Sequence, residues 1–296
     1  MQLGTRRITL EVEDHGPTGG EVVVLIMGLG MQLVAWPTDF VAMLVARGLR
    51  VIRFDNRDIG LSQHFDALGV PNVAVESIKY AMGWPVRSPY SLADMADDTA
   101  AMLDAMGIES AHMCGASMGG MIAQHVAARH PARVKSMTLI MTSSGARHLP
   151  GPSLKVRAAL VSRPKHPRDV DSVIDHFVNL YRLIGSTTYA SGADELRERI
   201  GLSVRRSIHP QGAARQIVAI AADGDRSGLL AQLRVPTQII HGLADPLVPA
   251  AAARDLAAKL KYSECDLIEG MGHDLPQALW PRFVAGICDA VGRAAA

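Results

Sequence analysis

Short apolar runs alternate along this chain with segments whose apolar residues recur at helical spacing. Seven runs are predicted as strands, because each is continuous and β-branched or alternates apolar with polar positions: residues 8–12, 22–27, 50–54, 111–114, 134–141, 237–241 and 265–268. Helical patterns cover residues 39–47, 92–106, 118–129, 250–260 and 280–291. This alternation predicts an α/β protein with a mostly parallel sheet flanked by helices.

The alternation breaks between residues 145 and 233, where helical patterns continue without a convincing buried strand. We predict an inserted helical cap over 145–233 and a core built from 1–144 and 234–296. The predicted cap carries thirteen Lys or Arg against eight Asp or Glu. Solvated helix faces explain this excess, and attraction of anionic substrates is the alternative.

Composition narrows the class of protein. Hydrophobic residues make up 48% of the 296 residues and charged residues 20%, which is typical of a soluble globular protein with a substantial core. The formal net charge is +1, so nothing indicates the concentrated basic surface that nucleic acid or an anionic membrane requires. The longest apolar run, residues 22–36, is interrupted by polar and Gly residues and is too short to span a bilayer.

Cysteine usage and the N-terminus indicate the compartment. The three cysteines, Cys114, Cys265 and Cys288, form no disulfide framework and fit a reducing environment. Residues 1–14 lack the apolar stretch of a secretory signal. We therefore expect a cytoplasmic protein; the sequence leaves open whether it forms a homo-oligomer.

The strongest chemical signal is the motif Gly-Ala-Ser-Met-Gly at residues 115–119. It lies between a predicted strand and a predicted helix, the context in which Gly-x-Ser-x-Gly forms a nucleophile elbow. Small residues two positions either side of Ser117 let the backbone turn sharply, and the following helix N-terminus directs its N–H groups at the reacting oxygen. Ser117 is therefore the predicted nucleophile.

A serine hydroxyl needs a base, and the base needs an orienting acid. Asp245 lies just past the strand at 237–241, and His273 follows the strand at 265–268 between flanking glycines. Both positions lie beyond the carboxyl ends of strands, where sites form above such sheets. The order Ser117, Asp245, His273 is the order expected with this elbow. By contrast, His112 and His241 lie within or at the ends of strands and are predicted to be structural.

Acyl transfer also requires donors for an oxyanion. One backbone N–H is expected from Met118, the residue after the nucleophile, and a second from the loop after the strand at 22–27. In that loop Leu29 follows Gly28, whose freedom lets the backbone turn its N–H inward. Leu29 and Met118 are therefore the predicted oxyanion-hole residues.

Methionine is unevenly distributed. Thirteen of the fourteen Met residues lie at or before position 141, and none lies between there and Met271. Met27, Met31, Met118 and Met271 all fall in predicted site-forming loops, where soft thioethers suit an adaptable apolar pocket. Ordinary core filling is the alternative. Trp36 is expected to line or support the same pocket.

These residues together resemble the α/β-hydrolase fold esterases over nearly the whole chain, and in particular the branch that contains aclacinomycin methylesterase. The resemblance rests on the elbow and on Met27-Gly28, Trp36-Pro37, residues 51–58, Asp245-Pro246 and residues 270–273. It implies an eight-stranded sheet, a helical cap, and serine-based ester hydrolysis without a cofactor. The serine mechanism needs no metal, and the sequence shows no cluster of metal ligands. Asp55, Arg57 and Asp58 are expected to hold a loop rather than to react.

The predicted reaction is hydrolysis of a small-molecule carboxylic ester of short to medium acyl length, or of a small aromatic ester. A methylesterase or lactonase acting on a larger natural product is the alternative, and thioesters and carbon–carbon bonds are also compatible with this triad. Dehalogenation and epoxide hydrolysis use an aspartate nucleophile in this fold, so Ser117 argues against them. A ligand-binding receptor on a hydrolase fold is the alternative from another class.

Overall fold

The computed structural model describes residues 1–295 and contains one eight-stranded sheet with the order β1-β2-β4-β3-β5-β6-β7-β8. The six strands from β4 to β8 in this order pair in parallel, and β2 pairs antiparallel with both β1 and β4, so only β2 runs opposite to the other strands. The strands are β1 (Gln2–Gly4), β2 (Thr9–His15), β3 (Val22–Ile26), β4 (Arg50–Phe54), β5 (Ala111–Ala116), β6 (Val134–Ile140), β7 (Thr237–Gly242) and β8 (Ser263–Ile268). The prediction of a mostly parallel sheet is confirmed.

Helices cover both faces of the sheet. Successive residues of a strand point to opposite faces, so β3 sends Val23 and Leu25 into one apolar cluster and Val24 and Ile26 into another. This two-sided burial explains its continuous apolar sequence. The helices are α1 (Thr38–Val45), α2 (Val73–Ala81), α3 (Leu92–Ala105), α4 (Met118–Arg129), α5 (Leu154–Leu160), α6 (Val170–Ile184), α7 (Ala193–Arg206), α8 (Pro210–Asp223), α9 (Ser227–Leu230), α10 (Ala251–Lys259) and α11 (Trp280–Ala295).

Two elements were not predicted from the sequence. The strand β1 has only three residues, too few to show a period. The helix α2 buries none of its residues fully, and its apolar residues Val75, Ile78 and Tyr80 are exposed. Its first turn is capped by the Asn72 side chain, which accepts a hydrogen bond from the Val75 N–H at 3.2 Å. The helix packs against α8, a contact that only tertiary structure creates.

Residues 145–233, which we call the helical insertion, contain α5 to α9 and no strand. The helices α6 and α7 share a small apolar core made by Val173, Ile174, Val178, Leu196, Ile200 and Val204. Charged pairs join the insertion to the loop after β4: Arg206 Nη1 donates to Asp55 Oδ2 at 2.7 Å, and Arg215 binds both carboxylate oxygens of Asp58 at 2.7 Å.

The Arg215–Asp58 pair is fully buried. Burial by itself raises the pKa of Asp58, but hydrogen bonds from Arg215 and from the Phe65 N–H outweigh it and hold that pKa below its usual value. Asp58 therefore keeps its charge at neutral pH, and the pair fastens α8 to the core.

Removing Arg215 should be costly. Arg215→Met leaves the Asp58 carboxylate buried without its cation, and we expect the free energy of unfolding to fall by about 3–5 kcal/mol. Urea denaturation measures this change. The control is Arg197→Met, because Arg197 pairs only with exposed Asp171 and Asp175; this variant should unfold like the wild type. Equal stability of the two variants would contradict the expectation.

No helix of residues 1–295 is both long and apolar enough to cross a membrane.

Candidate active site

The turn from β5 into α4 carries Ser117 in an unusual backbone conformation. Its φ of 54° and ψ of −119° lie in a region that residues with a side chain rarely occupy. The peptide N–H of Ser117 donates to the Ile140 carbonyl at 2.9 Å, which ties the turn to β6. The strain persists because the packed strand and helix determine it, and it lifts the Ser117 hydroxyl away from the sheet.

Glycine is required on both sides of Ser117 for steric reasons. A Cβ at Gly119 would lie 2.0 Å from the Ile26 carbonyl oxygen, and one at Gly115 would lie 2.3 Å from the Gly119 carbonyl oxygen. Both contacts involve backbone atoms that cannot move aside. The Gly-x-Ser-x-Gly spacing is thus imposed by the close passage of α4 across β3 and β5.

A single methyl group at this turn should be damaging. Gly119→Ala forces its Cβ against the β3 backbone, so we expect a loss of several kcal/mol in the free energy of unfolding, in the range of core overpacking and backbone strain. The control is Gly292→Ala within α11, where a Cβ meets nothing within 4 Å; alanine there should stabilise the helix slightly. Thermal unfolding of the two variants compares them, and similar midpoints would refute the steric account.

The structure brings Ser117, His273 and Asp245 into one hydrogen-bonded chain. His273 Nε2 lies 3.0 Å from Ser117 Oγ, and His273 Nδ1 lies 2.7 Å from Asp245 Oδ2. Asp245 and His273 are buried, whereas Ser117 is partly exposed. Because an ionised carboxylate only accepts, Nδ1 carries the proton, and the Nε2 lone pair faces the serine hydroxyl.

Asp245 is itself held in place. Its Oδ1 accepts hydrogen bonds from the N–H groups of Leu247 and Val248, both at 2.8 Å, which leaves Oδ2 for His273. The neighbouring His241 donates from Nε2 to the Val248 carbonyl at 2.7 Å, and burial lowers its pKa. His241 is therefore neutral at neutral pH and adds no charge that would compete for Asp245.

The loop after β3 approaches the serine closely. A Cβ at Gly28 would lie 3.1 Å from Ser117 Cβ, so a larger residue would crowd Ser117. Asn56 Nδ2 donates to the Met27 carbonyl at 2.9 Å and helps to fix the loop. Leu29 is the next residue in this loop. Within residues 1–295 its backbone N–H has no hydrogen-bond acceptor, and neither has the backbone N–H of Met118. Both groups remain available to a bound oxygen.

Comparisons with known proteins identify the family. The family model described as alpha/beta hydrolase fold matches residues 21–276. The chain belongs to the α/β-hydrolase fold family. It is 26% identical to rhodomycin D methylesterase of Streptomyces sp. (strain C5), over 95% of this chain and 94% of that protein. This similarity supports the resemblance to the aclacinomycin methylesterase branch drawn from the motifs.

Two further proteins extend the comparison. The 3-oxoadipate enol-lactonase 1 of Acinetobacter baylyi is 24% identical over 88% of this chain and 85% of its own length. The solved structure of a meta-cleavage product hydrolase from Pseudomonas fluorescens IP01 superposes with a TM-score of 0.76 at 19% identity, covering 99% of this chain and 98% of that one. The structural likeness shows the fold of this α/β hydrolase and nothing finer.

Of the five residues predicted to line or support a pocket, Met118 is buried in one apolar cluster of the core, and the other four differ in their surroundings. Met27, Trp36 and Met271 are buried in the apolar cluster that α1 and α11 complete, and Trp36 stacks on Phe40 with ring centroids 5.6 Å apart. Of the four, Met31 alone is partly exposed, and its sulfur contacts the Tyr181 hydroxyl of α6. Met31 thus connects the loop after β3 to the insertion, while the other three are packed inside the apolar cluster.

The segment 55–58 holds loops, as expected from the sequence. Asp55 accepts from the N–H groups of Leu33 and Leu61 at 2.7 and 2.9 Å, and Arg57 binds Asp98 through two hydrogen bonds of 2.5 and 2.7 Å. None of these side chains contacts Ser117 or His273 by a hydrogen bond among the described residues. Their role is to support the loop that faces the insertion.

Three residues of the insertion reach the site without any signal in the sequence. Gln216 accepts from the Gly30 N–H at 2.9 Å, Tyr181 contacts Met31, and Ser186 binds the loop that carries His273. Each partner is more than eighty residues away along the chain. No local pattern identifies such contacts.

One cluster in residues 1–295 has metal-ligand chemistry. His64, Asp66 and His209 offer ligand atoms within 4.8 Å of one another. The two imidazole rings, however, stack face to face with centroids 3.8 Å apart and planes within 4°, so their in-plane lone pairs do not converge on one ion. His209 Nδ1 instead donates to the Asp58 carbonyl at 2.7 Å, which makes the cluster a contact between α8 and the loop after β4.

Proposed function

We propose that this α/β hydrolase cleaves carboxylic esters with Ser117 as nucleophile, His273 as base and Asp245 as the orienting acid. The observation that carries the proposal is the hydrogen-bonded chain from Ser117 Oγ through His273 to Asp245, with its nucleophile on a strained elbow. Nucleophile, base and orienting group at these distances are the signature of covalent acyl transfer.

In the first half-reaction His273 Nε2 takes the Ser117 proton while Oγ attacks the ester carbonyl carbon. Asp245 stabilises the imidazolium that forms, and His273 then protonates the departing alkoxide, which leaves as the alcohol. In the second half-reaction His273 deprotonates a water molecule that attacks the acyl-enzyme. The carboxylic acid is released and Ser117 regains its proton.

The negative charge that develops on the carbonyl oxygen needs donors. We assign this role to the backbone N–H groups of Leu29 and Met118, which lack acceptors within residues 1–295 and follow Gly28 and Ser117 directly. Met118 is also the first residue of α4, so the positive end of the helix dipole adds to the stabilisation.

We assign the helical insertion, residues 145–233, the role of a cap over a core formed by 1–144 and 234–296. Contacts with the loops of the site support this role. Tyr181 meets Met31, Gln216 binds Gly30, and the Ile184 carbonyl accepts from the His273 N–H at 2.8 Å. In this arrangement the acyl or alcohol portion of a small-molecule ester lies between the cap and the Met-rich loops.

A methylesterase acting on a larger natural product is the second candidate. The similarity to rhodomycin D methylesterase over 95% of this chain favours it. The same triad serves both reactions, because only the leaving alcohol and the size of the acyl group differ. A general carboxylesterase accepts large leaving groups on short acyl chains, whereas a dedicated methylesterase requires the large acyl group of its own methyl ester.

The test is steady-state hydrolysis of p-nitrophenyl esters from acetate to laurate, together with release of methanol from methyl esters of polycyclic aromatic acids. A general carboxylesterase turns over the short p-nitrophenyl esters repeatedly, and its chain-length optimum measures the pocket. Turnover of the polycyclic methyl esters alone favours the second candidate. A single turnover followed by arrest, with tight retention of the product, refutes catalysis and indicates a binding protein.

A further inference from the structure

The end of α6 is fastened to the loop that carries His273. Ser186 donates to Asp274 Oδ1 twice, from its N–H at 3.0 Å and from its hydroxyl at 2.5 Å. The same hydroxyl accepts a hydrogen bond from the Gly272 N–H at 2.9 Å. With the His273 N–H bound to the Ile184 carbonyl, every residue from 272 to 274 is tied to the segment 184–186.

The two segments also touch through their backbones. A Cβ at Gly272 would lie 2.3 Å from the Gly185 carbonyl carbon and 2.6 Å from the Ser186 nitrogen. This approach is possible only with glycine at position 272. The backbone of Gly272 and His273 therefore packs directly against the helical insertion.

The Ser186 hydroxyl acts both as a donor and as an acceptor. Asp274 as a carboxylate only accepts, so Ser186 gives its proton to Asp274 and offers a lone pair to Gly272. Ser186 is 6% exposed. Burial also raises the pKa of Asp274, against the hydrogen bonds from Ser186. Loss of the serine hydroxyl would leave the buried Gly272 N–H without an acceptor and would remove one of the two hydrogen bonds that Asp274 Oδ1 accepts from Ser186.

We propose that Ser186 and Asp274 are positioning residues that hold His273 within hydrogen-bond distance of Ser117, so that the helical insertion takes part in assembling the catalytic site. The inference rests on the proposed function. Both ring nitrogens of His273 are already engaged by Asp245 and Ser117. Asp274 therefore acts through the backbone of the loop and not as a second acid.

The test compares Ser186→Ala, Asp274→Ala, Asp274→Asn and the Ser186→Ala/Asp274→Ala double variant. We expect the two alanine variants to lower kcat about 10- to 100-fold with KM little changed, because a displacement of the base by about 1 Å costs that much. Asparagine keeps one acceptor oxygen for Ser186 and should recover most of kcat. The double variant should be no worse than the single alanine variants, because the two residues act as one unit.

A matched control is Ser162→Ala, since the exposed Ser162 hydroxyl bonds only to the Ala159 carbonyl. A rise in KM at unchanged kcat would overturn the proposal and make Ser186 a substrate contact. A fall in kcat that merely follows the unfolded fraction at the assay temperature would overturn it as well.

A readout without turnover separates this inference from the proposed function. In protein labelled with ¹⁵N-histidine, the Nδ1–H proton of His273 bound to Asp245 gives a downfield resonance. We expect Ser186→Ala to shift or broaden it and Ser162→Ala to leave it unchanged. If wild-type protein hydrolyses no ester, this resonance still reports whether Ser186 positions His273. An unchanged resonance in Ser186→Ala overturns the inference whatever the activity.

Discussion

Ser117→Ala is expected to lower kcat for ester hydrolysis by about 10⁶-fold, the loss typical when the nucleophile of a serine triad is removed. His273 then has no hydroxyl to deprotonate, so no acyl-enzyme forms. KM and the unfolding midpoint should change little, because alanine keeps the Cβ and Ser117 Oγ is bonded only to His273. Initial rates and thermal unfolding measure the two quantities.

The surface variant Ser162→Ala serves as the control and should hydrolyse esters at the wild-type rate. Labelling with a fluorophosphonate provides an independent check, since the adduct should form on the peptide containing Ser117 and on no other. Hydrolysis by Ser117→Ala above one thousandth of the wild-type rate would place the nucleophile elsewhere and refute the proposed mechanism.

Asp245→Asn is expected to lower kcat by about 10⁴-fold. This loss follows from the orientation that the asparagine amide must take, which is set by the hydrogen bonds that Asp245 accepts. The Leu247 and Val248 N–H groups both point at Oδ1, so the asparagine carbonyl must take that position. Its NH₂ group then replaces Oδ2 and donates to His273 Nδ1. The ring is forced into the other tautomer, with a proton on Nε2 facing Ser117, and the base is lost.

The rate of covalent labelling distinguishes this effect from unfolding. Asp245→Asn should react with a fluorophosphonate far more slowly than wild type while retaining its unfolding midpoint. Asp266→Asn is the matched control, because Asp266 pairs with Arg282 at the partly exposed surface of β8. A fall of less than tenfold in kcat for Asp245→Asn would show that the hydrogen bond to His273 is not needed for its function.

Two sets of contacts join the helical insertion to the rest of the protein, and they predict different effects of mutation. Charged pairs at Asp55 and Asp58 fasten α7 and α8 to the core, and Ser186 fastens the end of α6 to the His273 loop. The insertion is thus connected on one side to the loop after β4 and on the other to the loop that carries His273. Loss of Arg215 should act on stability, whereas loss of Ser186 should act on kcat.

Much of the fold followed from local sequence. The strands with continuous β-branched residues, such as those ending at Ile26 and Phe54, were predicted to within a residue or two, because burial on both faces leaves a contiguous apolar run. The elbow was recognised because the close backbone contacts next to Ser117 leave no room for a side chain at residues 115 and 119, and this requirement appears in the sequence as two glycines. The order of nucleophile, acid and histidine, each beyond the end of a strand, likewise follows from the parallel topology.

The remaining features depend on contacts between distant segments. The helix α2 buries no residue fully and packs against α8, so a contact between distant segments supports it. Trp36 and Met271 are buried in the apolar cluster that residues of α1 and α11 complete. Ser186 reaches Asp274 across 88 positions. The sequence by itself determined the central strands of the sheet and the identity of the residues proposed to react, since both obey short-range sterics and periodicity. Only the tertiary structure decided what holds those residues in place, since contacts between side chains far apart in the chain produce no periodic pattern in the sequence.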